Sequence, residues 1–375
     1  MLVLTGMLTV YTSSFAVGYV EYGSTNYFVV RHAFYAIAGL GALFYFMRLD
    51  YRQLHGIAAP MMFIALLGLL AVLVPGIGVE RNGARRWLEL GPFSLQPSEF
   101  AKLAVIIYIS AWLAGRRENI NKLTLGLIPF VLMVSVVGGL IIVEPDMGTA
   151  IIIVLTTSTL FFVAGAPITH LALLIASGGF VSYVMILAQD YRLDRITSFV
   201  SPDSDPQGSG FHILQLLIAL GSGGVTGLGW GVSRQKFFYV PGAHTDGVFA
   251  IVGEELGLIG LLGILGLFAF FVHRALKATI ASRDQFGILL GVGIMSWISY
   301  QTLINIGGIT RTIPLTGVPL PFLSYGGSAL ISVMAGAGVL LSLSRYGGQR
   351  RYADEPKPRA RRYARGGGRA GRATT

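Results

Sequence analysis

About ten stretches of this chain are each apolar enough, and at roughly 17–25 residues long enough, to cross a bilayer. No other feature constrains the fold as tightly. The runs fall near 1–19, 29–48, 58–75, 99–115, 125–143, 148–166, 168–188, 247–273, 285–306 and 325–344. In hydrocarbon every backbone N–H and C=O needs a partner, and a helix supplies one from its own segment. Charged residues are 12% of the chain, against about 25% in soluble domains. The expected fold is therefore an all-α polytopic membrane protein with about ten transmembrane helices. The first run starts at Met1 without a basic leader and has no small-residue cleavage site before Tyr19, so it reads as a span and not as a cleaved signal. With no cysteine, disulfides and thiolate metal sites are excluded.

An even number of spans puts both termini on one side. From Arg345 onward ten Lys and Arg stand against Asp354 and Glu355, and basic segments stay cytoplasmic. Two parts are expected: a transmembrane domain over 1–345 and a disordered, basic cytoplasmic tail over 346–375. The tail's RGGGR is better matched to anionic lipid beside the membrane than to nucleic acid. Ten further cations, among them Arg31, Arg86, Lys102, Arg192 and Arg195, fall at the opposite side, more than that side normally keeps. A set of cations held there against the charge rule suits an anionic ligand. Polar sequence is also concentrated on that side, in 76–98, 307–324 and a large extracytoplasmic loop, 189–246, between spans seven and eight. Within the loop, FHILQLLIALGSGG is too short to span and reads as a re-entrant helix.

Several activities drop out. No Gly-Lys dipeptide occurs, so there is no Walker-type phosphate loop, and no His-Glu-x-x-His zinc site exists. The polar knot PGAHTDG, ahead of the eighth span, holds His244, Thr245 and Asp246. Asp246 there is either the N-cap of that span or a catalytic carboxylate at an aqueous lip. Glu254 and Glu255, two turns further in, point about 100° apart, and at least one is expected to pair with another helix. Glu99 and Lys102 are either a local ion pair or a cavity-lining pair with Lys102 facing an anion. Arg192 and Arg195, one turn apart, are either interfacial anchors or a fork for phosphate oxygens. Trp87 is either an interface anchor or a platform for a sugar.

Eight ordered motifs resemble the SEDS family (shape, elongation, division and sporulation) of polytopic peptidoglycan glycosyltransferases. They are NGARRW (82–87), QPSEFAKL (96–103), EPDMGTA (144–150), YRLDRIT (191–197), DPQGSGFHILQ (205–215), GVSRQKFFYVPGAHTD (231–246), GEELG (253–257) and PLPFLSYGGS (319–328). The forms of the first and sixth are similar to the division branch. That branch commonly carries Glu and Phe where Gly242 and Gly247 stand, which leaves Asp246 as the only carboxylate of the PGAHTDG knot.

The resemblance implies an enzyme that polymerises lipid II, the undecaprenyl-pyrophosphate-linked disaccharide peptide, into β-1,4 glycan with inversion. Activity would lie at the outer face of the plasma membrane, for septal synthesis. It maps the essential acid onto Asp246 and places Trp87, Glu99, Lys102, Arg192, Arg195, His244 and Thr245 at the substrate. No covalent cofactor is implied; a divalent cation, Mg or Mn, stays open, as does whether Asp246 takes a proton or holds that ion. A class B penicillin-binding transpeptidase and other division proteins are the implied partners. An elongation-type polymerase and a lipid II flippase are the alternatives. The sequence shows no inverted hydropathy repeat of the kind many transporters have.

Overall fold

The computed structural model describes residues 1–353 apart from Asn82, Pro92, Arg117, Ala188, Gln189 and Ser209. Residues 354–375 lie outside the described set, as do the side chains of Arg81, Leu90, Ser182, 185–192, Asp194, Ser204 and 348–353. Each of the ten apolar runs forms a helix: α1 (Leu2–Tyr22), α2 (Tyr27–Arg48), α3 (Arg52–Leu73), α4 (Pro97–Ala114), α5 (Ile128–Val143), α6 (Met147–Val163), α7 (Ile168–Leu187), then α10 (Val248–Ala281), α11 (Gln285–Ile309) and α12 (Gly327–Ala353). Between α7 and α10 come α8 (Asp190–Val200) and α9 (Phe211–Gly223), so much of the expected loop is helical. Among the described residues, eight helices are long and apolar enough to cross a bilayer, α5 with the helical turn that leads into it from Leu123; α6, the first part of α7, and α9 are shorter apolar stretches. The chain is a multi-pass membrane protein. α12 continues eight residues past the boundary expected at 345.

The helix ends follow local chemistry. Pro97 opens α4, where its missing N–H is an orphan in any case. Asp146 caps α6 by accepting from Thr149 N at 3.1 Å, and Asp284 caps α11 by accepting from Gly287 N at 3.0 Å. Among the described residues, α2 and α12 share the most extensive helix–helix contact. A Cβ at Gly338 would stand 2.5 Å from the Leu43 carbonyl, so only glycine lets the two backbones meet.

The passages alternate in direction, which gathers the segments 74–96, 144–146, 188–247 and 310–326 at one end of the bundle. That loop-rich end holds a small antiparallel meander the all-α expectation omits: β1 (Gly78–Arg81), β2 (Ala84–Leu90) and β3 (Phe93–Leu95), in the order β1-β2-β3. Its sequence signals are Asn82-Gly83 and Gly91-Pro92. Gly83 and Gly91 both adopt positive φ, 73° and 63°, as tight hairpin connections require. From β2, Arg86 reaches the turn after α5, where its guanidinium donates to the Glu144 carbonyl at 2.8 Å and to the Pro145 carbonyl.

α10 is broken at Gly257, with φ 64° and ψ −165°, a region essentially restricted to glycine. A continuous helix would bond Leu258 N to Glu254 O and Ile259 N to Glu255 O. Instead the chain after α9 enters the gap. Leu228 N and Gly229 N donate to the Glu254 and Glu255 carbonyls at 2.9 and 3.0 Å. Leu258 N and Ile259 N donate to the Gly224 and Val225 carbonyls at 3.0 and 3.2 Å. All four freed groups are satisfied, as a helix interrupted within a membrane needs.

The two carboxylates of the break fasten the same loop. Glu254 accepts from the Ser233 hydroxyl at 2.5 Å and from Arg234 N at 2.9 Å. Glu255 pairs at 2.8 Å with Lys236, which is fully buried and also donates to the Gly231 carbonyl at 2.6 Å. Both carboxylates are structural, and their partner is the 231–236 loop and not another helix.

Candidate active site

PGAHTDG folds into a tight turn just ahead of α10. Thr245 N and Gly247 N both donate to the Gly242 carbonyl, at 2.9 and 3.1 Å. Gly242 has φ 65°, and a Cβ there would lie 2.5 Å from Asp246 Oδ1 and 2.7 Å from Thr245 Oγ1. The carboxylate thus folds back over the glycine. Its oxygen accepts from the Thr245 hydroxyl at 3.0 Å. The residue in the N-cap position of α10 is Gly247, with no side-chain cap bond. Asp246 is therefore not a cap, which removes one of its two readings. Its side chain is half-buried, open at the loop-rich end.

The turn is held from below by α11. Asn305 donates through one amide nitrogen to the Asp246 carbonyl at 2.9 Å and to the Val318 carbonyl at 2.8 Å. One turn away, Gln301 donates to the Pro319 carbonyl at 2.9 Å, and its own oxygen takes Lys102 Nζ at 2.9 Å and the Trp297 indole N–H at 2.8 Å. Lys102 also bonds Glu99 at 2.9 Å. This ladder runs from α4 through α11 to the 318–319 backbone and the Asp246 turn.

Two further groups, on α8 and α9, stand in electrostatic range of one another and of Asp246 through His212. Arg195 on α8 donates to the Leu315 carbonyl at 3.1 Å. His212, in the first turn of α9, has a buried Nε2 without a hydrogen-bond partner and feels both the Asp246 and the Arg195 charge. Burial lowers its pKa and outweighs the opposing pull of Asp246. A side chain at Gly317 would come within 3.7 Å of Asp246 Oδ2, so the 310–326 segment forms the near wall.

The expected site residues divide. Asp246 and Thr245 come together, and Arg195 on α8 shares with Asp246 an electrostatic influence on His212. His244, two residues from Asp246, turns to α2. Its ring centroid lies 4.5 Å from Phe28 and 5.6 Å from Tyr325, and burial lowers its pKa to about 4. It packs as a neutral ring. Glu99 and Lys102 are 2% and 1% exposed and do not line the space at Asp246; they brace α4 against α11. Trp87 stands half-buried in β2, opposite Val79. Arg192 shares α8 with Arg195, and its side chain lies outside the described residues.

A family model described as cell cycle protein, spanning FtsW, RodA and SpoVE, matches residues 1–349. The chain belongs to the FtsW/RodA/SpoVE family. It is 42% identical over 348 residues to stage V sporulation protein E of Bacillus subtilis, covering 92% of this chain and 94% of that protein. A protein of Trichlorobacter lovleyi named probable peptidoglycan glycosyltransferase FtsW is 38% identical, with 90% and 89% covered. Among solved structures, one described as coordinating polymerization and crosslinking in a peptidoglycan synthase complex aligns with a TM-score of 0.73 at 30% identity, covering 91% of this chain and 97% of that one. The rod shape determining protein RodA of Thermus thermophilus aligns with a TM-score of 0.66 at 28% identity, with 92% and 94% covered.

For this family member the Glu99–Lys102 geometry makes a specific expectation. Removing one partner of a buried ion pair strands a charge and costs about 3–5 kcal/mol, whereas an apolar replacement of both is often neutral. Lys102→Met should lower the melting temperature in detergent sharply, and Glu99→Leu with Lys102→Met should recover most of it. Failure of the double variant to recover would mean the pair does more than brace the helices.

Glu144, at the end of α5, is fully buried with neither carboxylate oxygen partnered, because Arg86 takes its backbone carbonyl instead. Burial raises its pKa to about 8, Asp146 adds to the rise, and Arg86 opposes it. The folded chain therefore holds this proton more tightly than the unfolded one. Its contribution to stability is complete below the ordinary glutamate range and is lost as pH rises through about 8. Over that window the slope approaches about 1.4 kcal/mol for each step of one in pH. Glu144→Gln should flatten the pH dependence of melting between about pH 5 and 8. An unchanged slope would contradict the assignment.

Three residues of the site escape the sequence reading. His212 lies inside a quoted motif without any spacing that marks it. Gln301 and Asn305 had a signal: two amides four residues apart on an otherwise apolar span, where polar side chains face the bundle interior.

Proposed function

We propose that this chain is a peptidoglycan glycosyltransferase that polymerises lipid II into β-1,4 glycan, with Asp246 as its catalytic carboxylate. The observation that carries the reading is the Asp246 turn. A half-buried carboxylate is braced from its backbone by Asn305 and unused as a helix cap, and its charge and that of Arg195 both act on His212. Curated relatives named as peptidoglycan glycosyltransferases supply the reaction class.

In the reaction, the 4-hydroxyl oxygen of one sugar bonds to the anomeric carbon of another. The bond from that carbon to the pyrophosphate breaks, the pyrophosphate leaves with the electron pair, and the hydroxyl proton passes to Asp246. Arg195, whose planar guanidinium suits phosphate oxygens, stabilises the leaving side. Single displacement inverts the α-linked donor to a β-linkage. Among the described residues no three His, Cys, Asp or Glu cluster to hold a metal ion. A divalent cation would rest on Asp246 with substrate oxygens filling its other positions, as Mg²⁺ commonly does. Such an ion would supply further charge stabilisation to the pyrophosphate.

The loop-rich end is then extracytoplasmic and both termini cytoplasmic, in agreement with the basic residues after Arg345, which would sit on anionic lipid. Among relatives named for division and for sporulation, the division-type role at the septum fits the NGARRW and PGAHTD forms. A crosslinking transpeptidase is the expected partner, in keeping with the solved synthase complex described above. The flippase alternative loses support at the α10 break. Its backbone groups and both carboxylates are satisfied within the protein, which leaves none to carry a substrate or ion. The test is purified chain with purified lipid II, with and without a transpeptidase, read as glycan strand length. Absence of polymer in both conditions would overturn the proposal.

A further inference from the structure

The end of the bundle opposite the Asp246 turn carries a cavity of about 500 Å³. Three stretches meet there: the loop between α4 and α5, the turn after α6, and the link from α10 to α11. Asn121, Arg283 and Gln285 supply its polar lining, and Val163, Ile288 and Leu289 its apolar lining. Leu289 is buried, whereas Val163 is 44% exposed, so the apolar side opens toward the bilayer. The sequence around these turns, 115–122 and 282–285, sets Arg116, Arg117, Lys122 and Arg283 against Glu118 and Asp284. Asp284 spends its carboxylate on Gly287 N and the Tyr51 hydroxyl. Among the described residues neither acid lines the cavity.

We propose that this cavity binds the phosphate headgroup of an anionic phospholipid from the inner leaflet. The guanidinium offers a planar fork to phosphate oxygens, and the two amides add N–H donors. Basic pockets between helix ends at the cytoplasmic face suit such headgroups. Free phosphate would fill the polar part and leave Val163 and Ile288 uncovered, whereas an acyl chain covers them. The site lies apart from the glycosyltransferase machinery, and only its leaflet rests on the orientation given above. A bound headgroup links stretches that flank α5, α6 and α11, and so stabilises the folded chain.

The test is titration of dioleoylphosphatidylglycerol into delipidated full-length protein in a neutral detergent. Native mass spectrometry counts the lipid adducts, and melting is followed in parallel. One phosphatidylglycerol should bind more tightly than the rest and raise the melting temperature; dioleoylphosphatidylcholine should not. Arg283→Gln should weaken that adduct about fivefold, the contribution of one basic residue, and Arg283→Lys should stay within about twofold of wild type. Asn121→Leu, at an exposed position, should give a second loss that does not depend on how well Arg283→Gln folds. Lys277→Gln is the control: an exposed cation at the same end and outside the cavity lining, its loss should leave the adduct unchanged. Wild-type binding by both cavity variants, or an equal loss in Lys277→Gln, would overturn the proposal, since the attraction would then belong to the whole basic face. Inorganic phosphate that displaces the lipid and gives the same rise in melting would overturn the lipid source. Because the chain has no cysteine, Asn121→Cys carries a single thiol. Its labelling by a membrane-impermeant maleimide in intact cells would overturn the inner-leaflet source and the orientation together. The binding outcomes leave the glycosyltransferase reading untouched.

Discussion

Asp246→Asn is expected to lower glycan polymerisation by about 10²–10⁴-fold, the usual contribution of a positioned general base, while leaving the melting temperature unchanged. The two halves of this expectation come from different contacts. The fold uses Asp246 through its backbone carbonyl, which accepts from Asn305, and that bond survives the change. Among the described residues its side chain bonds only the Thr245 hydroxyl, and an amide oxygen accepts that bond equally well. Since Gly247 occupies the cap position of α10, no helix N-terminus depends on the charge. What the amide cannot do is take a proton from a sugar hydroxyl at neutral pH, or hold a cation as a carboxylate does. Near wild-type polymer from the Asn variant would exclude both roles. A fall in melting temperature that tracks the fall in activity would point instead to a structural carboxylate.

How far the sequence speaks for the structure depends on the range of the interaction. The spans were legible because a bilayer demands a run of one composition, and each of the ten runs is a helix. The β1–β3 meander was not, because its strands are three to seven residues long and their only sharp signal is a pair of glycine turns. Asp246 was legible as a polar residue at the lip of an apolar run. Whether it caps the helix, however, is a question of where one side chain points, and the Gly242 turn folds that side chain away from the cap position. Lys102 was legible as an ion pair with Glu99 through their three-residue spacing. Its second partner, Gln301, lies 199 residues away in sequence and could emerge only from packing. His212 remained hidden for the same reason: the charges that act on it, Asp246 and Arg195, sit on other elements.

The re-entrant path is also where a single methyl group should do the most damage. Gly257→Ala is expected to destabilise the chain by more than about 4 kcal/mol, in the range reserved for backbone strain and severe clashes. Two costs combine. The residue holds φ 64° and ψ −165°, which an L side chain cannot adopt without strain. A Cβ there would also sit 2.3 Å from Gly227 N and 2.5 Å from the Val225 carbonyl, both backbone atoms unable to rotate away. Relief requires the 224–229 segment to leave the gap, which strands the carbonyls of Glu254 and Glu255 and the N–H groups of Leu258 and Ile259 in an apolar setting. Lys236 and Ser233 then lose their hold on the two carboxylates. Gly263→Ala is the control, because that glycine lies in the same helix with nothing within 4 Å of an added Cβ. It should be neutral or stabilising by up to about 1 kcal/mol. The measurement is melting in detergent with limited proteolysis of the 223–236 segment. Should Gly257→Ala melt like Gly263→Ala and resist cleavage, the loop does not hold the broken helix together. Should it melt early and become cleavable there, the half of α10 that follows Asp246 depends on the splice, and polymerisation should fall with it even though Gly257 touches no substrate.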